Sequence, residues 1–301
     1  GNLLVACGEI GSAISLEGRF LSDLYCSPDQ WSSQTHKIIS CCTHVFGWLN
    51  DADQQVVQNL QAFGVILGCM QSPNDMSLSS RHIEDRYVET FQEWLHNDII
   101  VSDRLRILDD SSDTSGPQLA GSTLAPYRQR IVIHPGSGSR HKCTESVFLA
   151  SVMSKLLQED REFLILEGPA DEEAVEGLCT KLPSKIYRVL RGQSLTMIAQ
   201  YFANIDLYIG HDSGPTHLAV ACGVSTMALF GPTDPTQWAS RSNHVAVIQG
   251  EPCQCKGWTQ VQTCYSKPCL RISVERVVQK AEECLSSSIM KTGHSMTPTL
   301  A

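Results

Sequence analysis

From Ile131 onward the chain alternates short apolar runs with stretches of helical spacing, a pattern that predicts a parallel sheet flanked by helices. Ile131–His134 reads as a strand, followed by a helix over about Thr144–Glu159 with Thr144 as its N-cap. Phe163–Leu166 is the next strand, Asp171–Leu182 a helix, Tyr187–Leu190 a strand and Ser194–Phe202 a helix. Ile205–Gly210 follows as a buried strand and Thr216–Cys222 as a helix, with Thr226–Phe230 and Val245–Ile248 as further strands. The last helix is expected over Val274–Leu285. Continuous apolar runs of this length belong to strands covered on both faces, as in α/β proteins.

The first part of the chain is less regular. Ile38–Phe46 reads as a strand, and Asp53–Phe63 as a helix with Val56, Val57, Leu60 and Phe63 on one face and Gly64 as its cap. Val65–Cys69 is the next strand and Tyr87–Leu95 the next helix. Asp109–Pro126 is rich in Asp, Ser, Thr, Gly and Pro and carries no period, which marks a linker. The expected organisation is an N-terminal domain over 1–110, a linker over 111–128, a C-terminal domain over 129–285 and a polar tail over 286–301.

With 301 residues, 42% of them hydrophobic and 18% charged, the chain has material for two cored domains. A formal net charge of −9 argues against a general nucleic-acid binder. No apolar stretch reaches the ~20 residues a membrane span needs, and no basic-then-apolar leader opens the chain, so a cytoplasmic protein is expected. The thirteen cysteines fit reduced thiols better than a secreted disulfide framework. Cys253, Cys255, Cys264 and Cys269 share a polar loop and could ligate zinc, but the C-x-C opening departs from the common C-x-x-C spacing. Reduced, partly buried thiols are the favoured reading, with no metal at the active site.

The chemistry concentrates at predicted strand ends, where ligands bind in such folds. His211-Asp212-Ser213-Gly214-Pro215-Thr216-His217 is a small-residue turn leading into a helix, and such a turn gathers backbone N–H groups that hold anions. Pro135-Gly136-Ser137-Gly138-Ser139, with Lys142 close behind, is a second turn of this kind. Each turn alone is a common device for closing a strand–helix unit. Their order at successive strand ends favours a phosphate-bearing ligand.

These segments, with Leu166-Glu167-Gly168-Pro169-Ala170-Asp171 and Phe230-Gly231-Pro232-Thr233-Asp234-Pro235, resemble glycosyltransferase family 9, the heptosyltransferases of lipopolysaccharide core assembly. The resemblance covers roughly Ile131–Leu285. It implies a GT-B fold, two Rossmann-like doubly wound domains facing a cleft, the second binding the nucleotide-sugar donor. It also implies inverting, metal-independent transfer of a heptose-like sugar, typically ADP-linked, to a lipid-linked saccharide at the inner membrane face. No cofactor beyond the donor is implied.

Lys142 and Asp212 are the expected catalytic residues. Ser137, Gly138, Ser139, Ser213, Gly214, Thr216 and His217 are expected around the sugar diphosphate, while Gly168, Ser194 and Leu195 match where family members hold the nucleoside. Lys142 would supply the positive charge that a leaving diphosphate needs. Asp234-Pro235 is read as a turn device.

Family members open with a Gly-x-Leu/Ile-Gly-Asp turn whose Asp is the expected base. Here Gly8-Glu9-Ile10-Gly11-Ser12 carries Ser in that place. An N-terminally shortened first domain is the expectation, and the base stays unassigned, with Asp51 and Asp53 read as helix caps. A nucleotide-sugar-binding protein without transfer activity and a nucleotide-sugar epimerase are the alternatives.

Overall fold

Six strands pair in parallel in the order β5–β4–β3–β6–β7–β8. They are β3 (Gln129–His134), β4 (Arg161–Glu167), β5 (Tyr187–Arg191), β6 (Leu207–His211), β7 (Thr226–Phe230) and β8 (Val245–Gln249). Two strands, β1 (His44–Gly47) and β2 (Ile66–Met70), pair in parallel in a separate unit. This is a computed structural model, and it describes residues 13, 19–70, 81–95, 129–252 and 254–292. The described residues fall into two compact units divided at about residue 101. The linker 111–128, the turn at 8–12 and Cys253 lie outside the described residues.

The central strands carry apolar side chains on both faces, as their uninterrupted runs require. Ile131, Ile133, Phe163, Ile165, Leu207 and Ile209 face one layer of helices, Ser146–Leu156, Glu172–Cys179 and Val274–Thr292. Val132, Leu164, Leu166 and Tyr208 face the other, Leu195–Phe202 and Gly214–Ala221. Burying such side chains stabilises a fold by about 1.5–3 kcal/mol each. The last helix is fixed at the other end of the sheet: the buried Arg161 guanidinium donates to both oxygens of Glu282, at 2.7 and 2.6 Å.

Three sequence expectations change. Ile38–Phe46 divides into a helix, Ser33–Ser40, and the short β1. The Ser32 hydroxyl caps that helix by accepting from the Thr35 N–H, and Ile39 packs in the core beside Leu24 and Trp31, so burial on a helical face overrides the β-branched pair. The helix expected from Thr144 begins at Ser146, because Thr144 is engaged elsewhere. The final helix runs on through Thr292 instead of ending at Leu285, so residues 286–292 are helix and not tail.

In the first unit, Val56 and Leu60 of the helix Gln55–Ala62 pack with Leu24, Trp31 and Val65. Asp51 accepts from the Val56 and Val57 N–H groups at 3.2 and 3.0 Å, which is the capping role read for it.

Candidate functional site

The strand order reverses at β3. From it, β4 and β5 run to one side and β6, β7 and β8 to the other. The crevice at the carboxyl ends of the two strands flanking such a reversal is where parallel sheets take ligands. β3 ends at His134 and β6 at His211, with His134 in register with Gly210.

After β3 the chain turns through Ser137, whose hydroxyl donates to the Asp212 carbonyl at 2.8 Å and so ties the two turns together. Ser139 accepts from the His141 N–H and starts a single 3-10 turn, Arg140–Lys142, that carries the lysine back toward β6. There the Lys142 Nζ donates to Asp212 Oδ2 at 2.7 Å, and Thr233, beyond β7, donates to the same oxygen at 2.8 Å. His217 Nε2 stands 3.7 Å from Asp212 Oδ1, an electrostatic contact longer than a hydrogen bond. Burial pushes the Asp212 carboxyl up, but the His217 ring, the Lys142 ammonium and the Thr233 hydroxyl outweigh it and bring it to about 2. Asp212 is thus an ionised carboxylate with a partly exposed cation resting on it.

A second network lies beneath. The buried His134 Nε2 is 2.9 Å from Asp171 Oδ2, the oxygen that also accepts from the Gly168 N–H. Burial raises the Asp171 carboxyl, but His134 and the Gly168 N–H outweigh it and hold it below the ordinary carboxylate range. Gly136 is required here: a Cβ would lie 1.8 Å from Asp171 Oδ1. On the other side of His134, the Ser213 hydroxyl is 3.4 Å from Nδ1 and 3.2 Å from the Thr216 hydroxyl. Thr216 is buried and donates to the His211 carbonyl. His211 is fully buried, and its Nε2 accepts from the Thr144 N–H at 3.0 Å. Burial and the neighbouring His134 push its ring down to about 4, so it stays neutral.

The structure therefore gathers Ser137, Ser139, Lys142, Asp212, Ser213, Gly214 and His217 at the ends of β3 and β6. Gly138 and Gly214 face open space. Thr216 belongs to the interior, its hydroxyl and N–H both used within the protein, so its side chain braces the turn where a diphosphate contact was expected. Gly168 lies beside the same cluster through Asp171. Ser194 caps the helix Leu195–Phe202 by accepting from Met197 N–H, and Leu195 is exposed. Asp234 caps the short helix Pro235–Trp238, as its turn role predicts. His134, Asp171, His211 and Thr233 were not singled out from the sequence. His211, Asp171 and Thr233 lie within the segments that carry the family resemblance, and His134 closes a strand just before a Gly-Ser turn, but none of the four was given a role there.

A family model matches residues 55–268: glycosyltransferase family 9 (heptosyltransferase). The chain belongs to this family. Among curated proteins it is 30% identical over 172 residues to lipooligosaccharide heptosyltransferase 2 of Campylobacter jejuni, covering 52% of this chain and 51% of the relative. It is 25% identical over 118 residues to an Escherichia coli lipopolysaccharide heptosyltransferase 3, covering 38% of this chain and 35% of that protein. The chain spans about half the length of the Campylobacter relative. Among solved structures, the family 9 glycosyl transferase from Veillonella parvula superposes with a TM-score of 0.68 at 19% identity, over 91% of this chain and 82% of that one. The E. coli heptosyltransferase WaaC with ADP does so with a TM-score of 0.57 at 14% identity, over 84% and 79%. These likenesses bear out the expected α/β class with parallel sheets and its GT-B relatives.

In this family 9 chain, Cys255 and Cys264 are half-buried and Cys269 is buried. Among the described residues no group of three or more His, Cys, Asp or Glu is arranged to hold a metal. Nor, among them, is any helix long and apolar enough to cross a membrane.

Proposed function

We propose that this family 9 chain is an inverting glycosyltransferase that moves a heptose-like sugar from a nucleoside diphosphate donor, ADP-linked as the first choice, to a lipopolysaccharide-type acceptor. The observation that carries this reading is the Lys142–Asp212 pair at the reversal of strand order, ringed by small-residue turns. The second unit, residues 129–285, is assigned the donor, and the first the acceptor. The nucleoside is placed toward Gly168, Ser194 and Leu195, and the diphosphate against Lys142, Ser139, Gly138 and the start of the Gly214–Ala221 helix.

Transfer breaks the bond between the anomeric carbon and the diphosphate oxygen, and negative charge grows on that oxygen. A fixed cation stabilises the transition state more than the ground state, since the charge there is larger. Lys142 supplies it without a divalent metal. Asp212 holds the Lys142 ammonium in place before the donor arrives. Its buried carboxylate and the half-exposed His217 then border the transferred sugar, whose hydroxyls they orient. The acceptor oxygen enters opposite the leaving diphosphate, so one displacement inverts the anomeric centre. The proton it loses goes to a base not assigned among these residues. The reaction is placed in the cytoplasm, at the inner face of the membrane where a lipid-linked acceptor is reached.

The test is thermal stabilisation by ADP, followed by release of ADP from ADP-heptose with a lipid A–core acceptor, with and without a chelator. Stabilisation together with acceptor-dependent, chelator-insensitive release is expected. No stabilisation by any nucleoside diphosphate refutes the reading. Stabilisation without release makes the chain a binding protein, and sugar interconversion without acceptor makes it an epimerase.

A further inference from the structure

Beyond β7 the chain runs through Gly231, Pro232 and Thr233 into the short helix Pro235–Trp238, and this stretch is fixed at both ends. The Gly231 carbonyl accepts from Gln249 Nε2 at 2.8 Å, and a Cβ at Gly231 would stand 2.8 Å from Leu270 Cδ2, so the chain is closely packed there. On the far side, Asp234 caps the helix by accepting from the Thr236 N–H at 2.8 Å. Pro232 before Thr233 and Pro235 beyond it each fix φ. Thr233 thus stands on a braced backbone, and its β-branched side chain is stiff at χ1. Its hydroxyl donates to Asp212 Oδ2 at 2.8 Å, the oxygen that Lys142 Nζ also holds at 2.7 Å. The two donors differ in kind. Lys142 ends a flexible four-carbon stem and is partly exposed, so it can follow the carboxylate or lean toward a ligand. Thr233 can do neither.

We infer that Thr233 is a positioning residue for recognition of the transferred sugar: it sets the plane of the Asp212 carboxylate, so that Oδ1 stays turned to a hydroxyl of that sugar. This rests on the donor-site reading above. Asp212 is ionised, so both its oxygens can only accept. Oδ2 is taken by Thr233 and Lys142. Among the described residues no hydrogen bond reaches Oδ1, and the half-exposed His217 lies beside it with Nε2 at 3.7 Å. Oδ1 is therefore the oxygen left for a ligand. A sugar hydroxyl can donate to it, whereas an ionised phosphate has no proton to give and is repelled. The last torsion of an aspartate is broad, so a carboxylate turns unless it is held. Held by the lysine alone, it would turn whenever the ammonium shifts onto the leaving diphosphate. The diphosphate competes with Asp212 for that ammonium, while Thr233, half-buried on its braced turn, stays on Oδ2. Thr233 acts on the sugar only through Asp212.

The experiment is a calorimetric titration of the purified chain with inorganic diphosphate, ADP and ADP-heptose. The proteins are wild type, Thr233→Val, Thr233→Ser, Asp212→Ala, Lys142→Ala and the double variant of Thr233→Val with Asp212→Ala. Thr233→Val keeps the shape and loses the proton. It is expected to raise the ADP-heptose Kd about tenfold, the low end for a hydrogen bond to a charged group, and to leave diphosphate and ADP within about twofold. Thr233→Ser restores the hydroxyl and should bring ADP-heptose back to within about threefold of wild type. With Asp212→Ala there is no carboxylate to hold, so adding Thr233→Val should change the ADP-heptose Kd by less than about twofold. A merely structural threonine would weaken the three ligands alike. Equal weakening of diphosphate overturns the inference, as do no weakening of ADP-heptose, no recovery with Thr233→Ser, and a full effect of Thr233→Val beside Asp212→Ala. If Asp212→Ala weakens ADP-heptose no more than ADP, the sugar does not lie beside Asp212 and the inference falls with that placement. Lys142→Ala must weaken all three ligands; if it does not, the donor-site reading itself fails, independently of Thr233. Thr233→Ala serves for the same comparison if melting shows that the valine variant does not fold.

Discussion

Replacing Lys142 by Met keeps the aliphatic stem and removes the cation from Asp212, whose side chain is only 6% exposed. Asp212 would be left as a buried carboxylate with Thr233 and the more distant His217 for partners. The size of the penalty follows from how far the folded protein favours the charged form. Its carboxyl moves from the ordinary 3.8 to about 2, nearly two decades in the ionisation constant, or about 2.5 kcal/mol in all. Lys142 accounts for part of this, and stripping a buried ion of its partner costs about 3–5 kcal/mol. Because the lysine itself is partly solvated, a loss of about 2 kcal/mol is expected. For a unit of this size it lowers the melting midpoint by roughly 4–8 °C. The depressed carboxyl stabilises the fold above pH 3.8, and that stabilisation is lost as pH falls toward 2. The loss from Lys142→Met should therefore shrink in the same window.

The assay is a double-mutant cycle by calorimetric melting at pH 7. Adding Asp212→Asn to Lys142→Met removes the unpaired charge while keeping an acceptor for Thr233, so most of the lost stability should return. Donor binding should not return, because the cation is still missing. A double variant as unstable as Lys142→Met would refute the ion-pair account. One that binds ADP like wild type would refute the role given to Lys142.

Two further outcomes follow from the buried histidines and glycines. His211 is held down to about 4 against an ordinary 6.5, so the unfolded chain binds the proton first and stability should fall between pH 6.5 and 4. The fall is about 3 kcal/mol, and urea titrations of His211→Asn should show this limb flattened. Gly136→Ala would drive a methyl into the Asp171 carboxylate. A drop in melting midpoint larger than that of Gly138→Ala, where the added Cβ meets open space, is expected; equal drops would contradict the packing described.

How much was legible in the sequence depended on how local each determinant is. Strands β3, β4, β6 and β7 could be read because a doubly covered strand must be apolar at successive positions, a constraint written in consecutive residues. The anion-binding turns were legible for the same reason, since Gly, Ser and Asp cluster where the backbone turns. Ile38–Phe46 misled because two adjacent isoleucines carry strand propensity, while the Ser32 cap and the packing of Ile39 against Trp31 decided otherwise. The couple of His134 with Asp171 spans 37 residues, and nothing near either one announces the other. Thr144 misled differently. A threonine before an apolar run is a good cap by type, yet its N–H and hydroxyl serve His211.

The reversal of strand order at β3 also bears on how the chain reaches its folded state. The pairs β3–β4, β4–β5, β6–β7 and β7–β8 each join neighbours in sequence, whereas β3–β6 closes a far larger loop, with Arg130 bonded to Asp206 across 76 residues. Closing that loop costs chain entropy that the shorter strand–helix–strand steps do not, so it belongs late in the order of assembly. Lys142 and Asp212, 70 residues apart, meet only when it has closed. Donor binding would then appear last during refolding, after the far-UV helical signal, and a nucleotide would act as a clamp on the slowest-forming joint of the molecule.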